Sequence, residues 1–363
     1  MRIELIRRPE RSKAMSWLSP VIAVLLTLLA GAFIFAASGI DPLQGLYVYF
    51  IEPLTLPFTL YELVVKAIPI VTIAVGLALC YLSNTWNIGA EGQLTVGAIC
   101  GSLVPILLPD FQTVFTLPLM LVMGILGGAL YAAIPALLKT RFGTNEILTS
   151  LMLVYVATYL LDWLVRGPLR DPKGFGFPGS RSFTDFQVMP ILFPGSRVHL
   201  GLIIALVVVV GGWFVLRKTI TGFAITTIGQ APRAGAFAGF SQNKMVLLTF
   251  LISGALAGLA GISEVAGPIG QLRTTVSPGY GFTAIIVAFL GRLNPIGAIF
   301  AGFLLALSYL GGEGAQIALG MSDQTTRVFQ GMLLFFVLAC DSFIFYRLQI
   351  VRRPVTHTQA VAS

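Results

Sequence analysis

The chain has 363 residues, of which 56% are hydrophobic and only 10% are charged, and its formal net charge is +8. Soluble domains carry about a quarter charged residues, so this composition excludes a soluble globular protein. Lys and Arg lie at the ends of apolar runs, as in membrane proteins, and form no basic stripe with interleaved aromatic residues. The positive charge therefore does not indicate nucleic-acid binding.

Ten apolar segments predict an all-α polytopic membrane protein with about ten transmembrane helices, because about 20 apolar residues span a bilayer. The segments are 18–37, 60–82, 92–108, 117–138, 145–165, 199–216, 244–264, 281–291, 296–311 and 325–346. The first is too long for a signal peptide and is expected to stay in the protein as a helix. The eighth and ninth are too short to span the membrane, which predicts either half-helices or segments that extend into flanking turns shielded by protein.

An even number of crossings places both chain ends on one side of the membrane. With both ends inside, cytoplasmic segments carry fifteen Lys and Arg residues and external segments carry seven, as the positive-inside rule requires. The predicted organisation is a cytoplasmic N-terminal segment (1–17), a transmembrane domain (18–346) and a cytoplasmic tail (347–363). The domain includes an external loop (166–198) and a cytoplasmic loop (217–243).

Two polar, glycine-bearing turns interrupt the apolar pattern. The first is NTWNIGAEGQ at 84–93, and the second is SPGYGFT at 277–283, before the short eighth segment. The second to fifth segments start outside and the seventh to tenth start inside, which predicts an inverted internal repeat with short or broken helices. Interrupted helices at matching places of such repeats indicate a translocation path.

Some charged side chains are predicted to lie at or near membrane depth. Glu91 and Glu264 each have the chemistry to touch a substrate, carry protons or pair with a neighbouring donor, and pairing is the favoured role. Glu62 and Lys66 are four residues apart on one predicted helix, so we expect them to pair with each other.

The two polar loops have different predicted roles. The external loop is rich in Pro, Gly and aromatic residues and is interpreted either as a packed cap or as a docking face for an external partner. The cytoplasmic loop is long for a plain connector. It predicts a short helix at 232–239, starting at a proline and ending at a glycine, that seats in a soluble partner.

No stretch of the sequence matches G-x-x-x-x-G-K-[ST], so we expect no ATP hydrolysis through a P-loop in this chain. No metal-ligand cluster or nucleophile triad can be assembled from its residues. The three cysteines lie inside apolar segments and are interpreted as small buried hydrophobic residues.

Four stretches together resemble the permease subunits of bacterial ABC importers of the branched-chain amino acid and simple-sugar superfamily. They are NIGAEGQ at 87–93, GQAPRAGAFAG at 229–239, SGALAGLAG at 253–261 and SPGYGFTAIIVAFLGRLNPIGA at 277–298. The first and last are most similar to the nucleoside-uptake branch, in the longer of its two permeases. The resemblance covers about residues 60–345.

The resemblance implies a multi-pass protein of the bacterial inner membrane that is not itself an enzyme and holds no cofactor or metal. Its expected partners are a second, different permease, a cytoplasmic ABC ATPase that binds ATP and Mg²⁺, and an external substrate-binding protein or lipoprotein. The coupling helix that seats in the ATPase would comprise Gly229, Gln230, Ala231, Pro232, Arg233, Ala234, Gly235, Ala236, Phe237 and Gly239.

A nucleoside needs hydrogen-bonding groups for its ribose and aromatic faces for its base. The candidate residues of the path are Asn84, Trp86, Asn87, Glu91, Gln93, Tyr280, Phe282 and Thr283. A simple sugar or an amino acid remains an alternative cargo. A secondary transporter driven by H⁺ or Na⁺, with Glu91 or Glu264 titrating, remains an alternative of another class.

Overall fold

The chain folds as a polytopic α-helical bundle in the computed structural model, which describes residues 2–7 and 13–351. Its helices are α1 (Lys13–Ala37), α2 (Pro42–Leu46), α3 (Pro57–Leu82), α4 (Ala90–Leu107), α5 (Thr116–Phe142), α6 (Glu146–Arg166), α7 (Gly201–Lys218), α8 (Ile220–Gln230), α9 (Pro232–Phe237), α10 (Gln242–Glu264), α11 (Tyr280–Leu290), α12 (Pro295–Leu319) and α13 (Asp323–Phe345). Within the described residues, eight helices are long and apolar enough to cross a membrane, and two shorter apolar helices accompany them. The predicted fold class is confirmed.

Each of the ten predicted segments has a helical counterpart. Helix α11 has 11 residues and a length of about 16 Å, so it is a half-helix, as predicted. The ninth segment is no half-helix and instead extends beyond its predicted end, the other expected outcome, because α12 runs for 25 residues. Its C-terminal glycines continue the helix instead of ending it, and Gly311 lies against the backbone of Tyr49, where a side chain has no room.

Two short strands, β1 (Arg2–Arg7) and β2 (Tyr346–Val351), pair in an antiparallel register from Arg2 opposite Val351 to Arg7 opposite Tyr346. This pairing brings the first and last described residues to the same end of the bundle, as an even number of crossings requires. The remaining part of the predicted tail, 352–363, lies outside the described residues, and the assignment of that end to the cytoplasm stays a prediction.

The packing of the helices supports the inverted repeat. Helices α4 and α5 pack on α10, and their counterparts α11 and α12 pack on α3. The equivalent helices α3 and α10 run antiparallel, since Gly76 lies against Ser253 and the Cys80 Sγ lies 3.2 Å from the Thr249 carbonyl oxygen. Two halves related by inversion are expected to meet in this way.

Glycines set how closely α4, α5 and α10 approach one another. Gly97 of α4 faces Gly258 of α10, and Gly128 of α5 faces Gly254 and Gly258, at distances where a Cβ would overlap backbone atoms. Small residues allow this close approach between membrane helices. The three helices therefore form a tightly packed wall beside the first polar turn.

Residues 167–200, which we call the cap, fold over one end of the bundle. Backbone hydrogen bonds tie the cap to the segment that follows α10, from Ser180 N to Leu272 O at 2.9 Å and from Met189 N to Ala266 O at 2.7 Å. Its opposite surface carries Phe175, which is 98% exposed. The loop is thus a packed cap, and its exposed aromatic surface leaves the docking role open as a prediction.

Residues 219–241, which we call the connector, lie at the opposite end of the bundle. They include α8, which the sequence did not predict, and α9, which occupies the place of the predicted short helix. Pro232 begins α9, and Gly239 follows it with a φ of 85°, a left-handed conformation that glycine accepts without strain. The bundle thus has a cap end and a connector end.

Candidate functional site

The two polar turns predicted from the sequence meet in the middle of the bundle. The Glu91 Oε2 in the first turn of α4 accepts a hydrogen bond of 2.6 Å from the Gly281 N–H in the first turn of α11. Gly281 also packs against the backbone of Ala90 and Glu91 so closely that no side chain fits there. Two helix N-termini, each with a partial positive charge, thus share one buried carboxylate.

The first turn is held by a network of side-chain amides. Asn87 and Gln93 exchange two hydrogen bonds of 2.9 and 3.0 Å, and Asn87 Nδ2 also donates to Ser253 Oγ at 3.1 Å. Asn87 is 0% exposed and Gln93 is 1% exposed. This burial gives both residues a structural part in the turn, and contact with a solute stays a prediction for them.

Trp86 and Asn84, by contrast, are exposed members of the same turn. Trp86 is 37% exposed and stacks on Phe289 of α11 at a centroid distance of 5.9 Å. Tyr81 completes the cluster, 5.3 Å from Trp86 and 5.0 Å from Phe289. Sequence reasoning missed Tyr81 and Phe289, since each lies in an apolar run, and only the meeting of α3 with α11 reveals them.

The second turn is capped by its own serine. The Ser277 Oγ accepts hydrogen bonds from Gly279 N at 3.0 Å and Tyr280 N at 2.8 Å. Further along α11, the Thr283 Oγ1 lies 2.8 Å from the Tyr309 hydroxyl of α12. Tyr280 and Thr283 are buried, whereas Phe282 is 40% exposed.

Charged side chains gather at the cap end, and the expected pairing of Glu62 with Lys66 is wrong. Arg197 of the cap donates to Glu62 from Nε at 2.8 Å and again from Nη2, while Lys66 Nζ donates to Glu313 of α12 at 2.8 Å. The two residues find partners on other segments because they lie on the packed face of α3. The hydrogen bond to Glu62 raises the pKa of the Arg197 guanidinium.

The two carboxylates predicted at membrane depth have different surroundings. Glu91 pairs with a backbone N–H, as favoured from the sequence. Glu264, at the end of α10, is 8% exposed, and the described part of the chain offers its carboxylate no hydrogen bond. Sequence reasoning gave both residues the same role, since hydropathy does not reveal which donors are near.

The connector touches the first polar turn. Gly229 of α8 lies against the Leu82 carbonyl and the Ser83 Cα, where a Cβ would overlap the backbone. Helix α9 follows directly, and its Phe237 is 97% exposed. The predicted coupling residues 229–239 thus present a small, exposed helix at one end and contact the residue before Asn84 at the other.

Comparison with known proteins gives the family. Residues 59–338 match the family described as "Branched-chain amino acid transport system / permease component". The glucose ABC transporter permease protein TsgB13 of Haloferax volcanii is 37% identical over 96% of this chain and 95% of its own length.

Two bacterial relatives are named for nucleosides. The guanosine permease NupP of Bacillus subtilis is 29% identical over 88% of this chain and 92% of its own length. The nucleoside permease NupB of Lactococcus lactis is 29% identical over 90% of this chain and 92% of its own length. Each bacterium also has a second matching permease, NupQ at 29% and NupC at 23% identity. The chain therefore belongs to the permease family of branched-chain amino acid transport systems and is a multi-pass protein of the inner membrane.

Proposed function

We propose that this chain is one permease subunit of an ATP-driven importer of nucleosides that works by alternating access. The observation that carries the proposal is the junction of α4 and α11, where the N-terminus of α4 meets the N-terminus of the half-helix α11 at Glu91 inside the membrane domain. Broken helices whose N-termini converge at mid-membrane are typical of transport paths. Among the candidate path residues, the proposal assigns contact with the solute to Asn84, Trp86 and Phe282, and their exposure supports this choice.

The contact of the connector with the first turn supports coupling to an ATPase. A force on α9 reaches Leu82 and Ser83 through Gly229, and these residues lead directly into residues 84–93. Binding energy on the soluble side can shift the membrane domain only if the two conformations differ in that contact. ATP and Mg²⁺ belong to the ATPase partner in this proposal.

The half-exposed Trp86 favours a nucleoside cargo. Its ring, backed by Phe289 and Tyr81, offers an aromatic face of the kind on which a base stacks. The relatives named for guanosine and nucleosides support this choice. Glucose is the second candidate, favoured by 37% identity to TsgB13 along nearly the whole chain.

The partners in this proposal are a second permease, a cytoplasmic ABC ATPase and an external substrate-binding protein or lipoprotein. Pairs of matching permeases in two bacteria support a heterodimer. The exposed aromatic surface of the cap is the proposed contact for the external protein.

Uptake into proteoliposomes tests the proposal. The vesicles hold this chain with its candidate partner permease and ATPase, with ATP inside and the binding protein outside. We expect ATP-dependent uptake of labelled uridine that unlabelled nucleosides block and glucose and leucine do not. Competition by glucose or leucine would identify a sugar or an amino acid as the cargo. Uptake that follows an ion gradient without ATP would show that the protein is a secondary transporter.

A further inference from the structure

A polar cavity lies between the cap and the second polar turn. Its volume is about 350 Å³, within the range of about 300–1,000 Å³ typical of small-molecule sites. A neighbouring cavity of about 410 Å³ shares Glu62, Lys66 and Arg197 with it. The polar lining of the first cavity consists of Glu62, Lys66, Arg197, Glu264, Arg273 and Tyr280.

Three of the five charged side chains in this lining have ion-pair partners, Arg273 is exposed to solvent, and Glu264 is buried without such a partner among the described residues. Arg197 holds Glu62, and Lys66 holds Glu313. Glu264 is more than nine-tenths buried and lines the cavity, yet it has no hydrogen bond to any described residue. Lys66 and Arg197 are near enough to interact with it electrostatically. A buried carboxylate with unused acceptor positions is costly unless a ligand or water occupies them.

The charges of the first cavity balance once the partner of Lys66 is included. Its lining carries two carboxylates, Glu62 and Glu264, and three cations, Lys66, Arg197 and Arg273. Glu313, which pairs with Lys66, is the third carboxylate, and Glu52 lines the neighbouring cavity alone. A site with an excess of Lys and Arg would favour a phosphate, and an acidic excess would favour a metal ion. A balanced set of acceptors and donors instead suits a neutral solute that has several hydroxyl groups.

We infer that Glu264 forms an outer subsite that accepts hydrogen bonds from two adjacent hydroxyl groups of a sugar ring, either a ribose or a hexose. A carboxylate has two oxygens and suits such a pair. Tyr280 lies in the same lining and begins α11, so the subsite leads from the cap end to the second polar turn. This inference rests on the proposed import function and adds where the solute is held.

The test compares Glu264→Gln with the unchanged chain in the complete importer, in the proteoliposomes described above. The probes are labelled uridine and labelled 2′,3′-dideoxyuridine, which lacks both ribose hydroxyls. We expect Glu264→Gln to lower uridine uptake at subsaturating concentration about tenfold, because losing one hydrogen bond to a charged group weakens binding by about that factor. Its uptake of the dideoxy compound should change less than about twofold, because that compound offers no pair to the carboxylate.

The exposed carboxylate of Asp162 provides a matched control, since Asp162→Asn removes a charge that pairs with Arg166 one turn away on α6. This variant should leave the uptake of both probes unchanged. If Glu264→Gln lowers the uptake of both probes equally, Glu264 has a structural role. If the uptake of neither probe falls, Glu264 has no role in transport. Either result overturns the subsite. If Glu264→Gln does not assemble, Glu264→Asp withdraws the carboxylate while keeping its charge, and the same selective loss of uridine uptake is expected.

A failure of the nucleoside proposal is distinguishable from a failure of the subsite. If the unchanged importer takes up glucose and no uridine, the same variants are compared with glucose and with a deoxyglucose that lacks two adjacent hydroxyls. Selective loss of glucose uptake then supports the subsite with a hexose as cargo, and equal loss of both sugars overturns it.

Discussion

The turns that lead into α4 and α11 occupy matching places in the two halves of the bundle, yet they are held in different ways. The first is braced by the paired amides of Asn87 and Gln93, and Asn87 also fixes it to Ser253 of α10. The second is capped at its start by Ser277 and is tied at Thr283 to a neighbouring helix. We therefore expect the first turn to be a fixed reference and the second to be the part that shifts during transport.

The largest effect is expected from Asn87→Ala. This change leaves the buried Gln93 amide and the Gly89 N–H without the partner that Asn87 provides and removes a donor to the Ser253 hydroxyl, and should destabilise the protein by about 3 kcal/mol or more. Thermal unfolding in detergent measures the loss. Asn84→Gly is the control, because Asn84 is exposed and has a φ of 55°, which glycine adopts easily. Equal stability of both variants would contradict an internal brace.

The next effect concerns Glu91, which joins the two turns. Glu91→Ala leaves the buried Gly281 N–H unpaired, so the maximal uptake rate should fall about tenfold. Glu91→Gln keeps an oxygen that accepts this hydrogen bond, so its uptake rate should fall less. Uptake assays on assembled complexes measure both variants. If the uptake rate falls as much in Glu91→Gln as in Glu91→Ala, the negative charge of Glu91 is required and its hydrogen bond is not.

A smaller effect is expected from Thr283→Val, which keeps the shape of the side chain but removes its bond to the Tyr309 hydroxyl. The loss should be about 1 kcal/mol and confined to the second half. Hydrogen exchange should therefore quicken in α11 and stay unchanged at residues 87–93. Thr283→Ser keeps the hydroxyl and serves as the control. Faster exchange in both turns would show that the two are one rigid unit.

The helices and the two polar turns could be predicted from the sequence better than the contacts between them. Apolar run lengths indicated the helices, and glycine-bearing polar stretches indicated both turns, because these are local properties. The partners of Glu62 and Lys66 could not be predicted in this way. Arg197 and Glu313 lie 135 and 247 residues away along the chain, and only the packing of the cap and α12 on α3 brings them close.

The same limit applies to the candidate site. The sequence selected both Asn87, for its hydrogen-bonding amide, and Trp86, for its aromatic face, as path residues. The fold then buries Asn87 against Gln93 and Ser253 and leaves Trp86 half-exposed. Burial of this kind depends on the antiparallel meeting of α3 and α10, and a single sequence does not contain that information locally.

The smallest expected effect tests whether the cap restrains the second half. His199 of the cap lies against Gly267, in the turn Val265–Ile269 that follows α10. Its Nδ1 accepts a hydrogen bond of 3.1 Å from Gly201 N, so the neutral ring fits the site and a protonated ring does not. Burial lowers the pKa of His199 from 6.5 to about 4.

Since this pKa is lower in the folded than in the unfolded protein, the stabilisation is complete above pH 6.5 and is lost as the pH falls towards 4. Between pH 7.5 and pH 6.0 the loss should stay below about 1 kcal/mol. Thermal unfolding across this range should show a shallower pH dependence for His199→Gln, whose amide oxygen still accepts from Gly201. Parallel curves for the two proteins would assign the pH dependence to other groups. Faster hydrogen exchange at 265–283 at the lower pH, with residues 87–93 unchanged, would link the cap to the second turn alone.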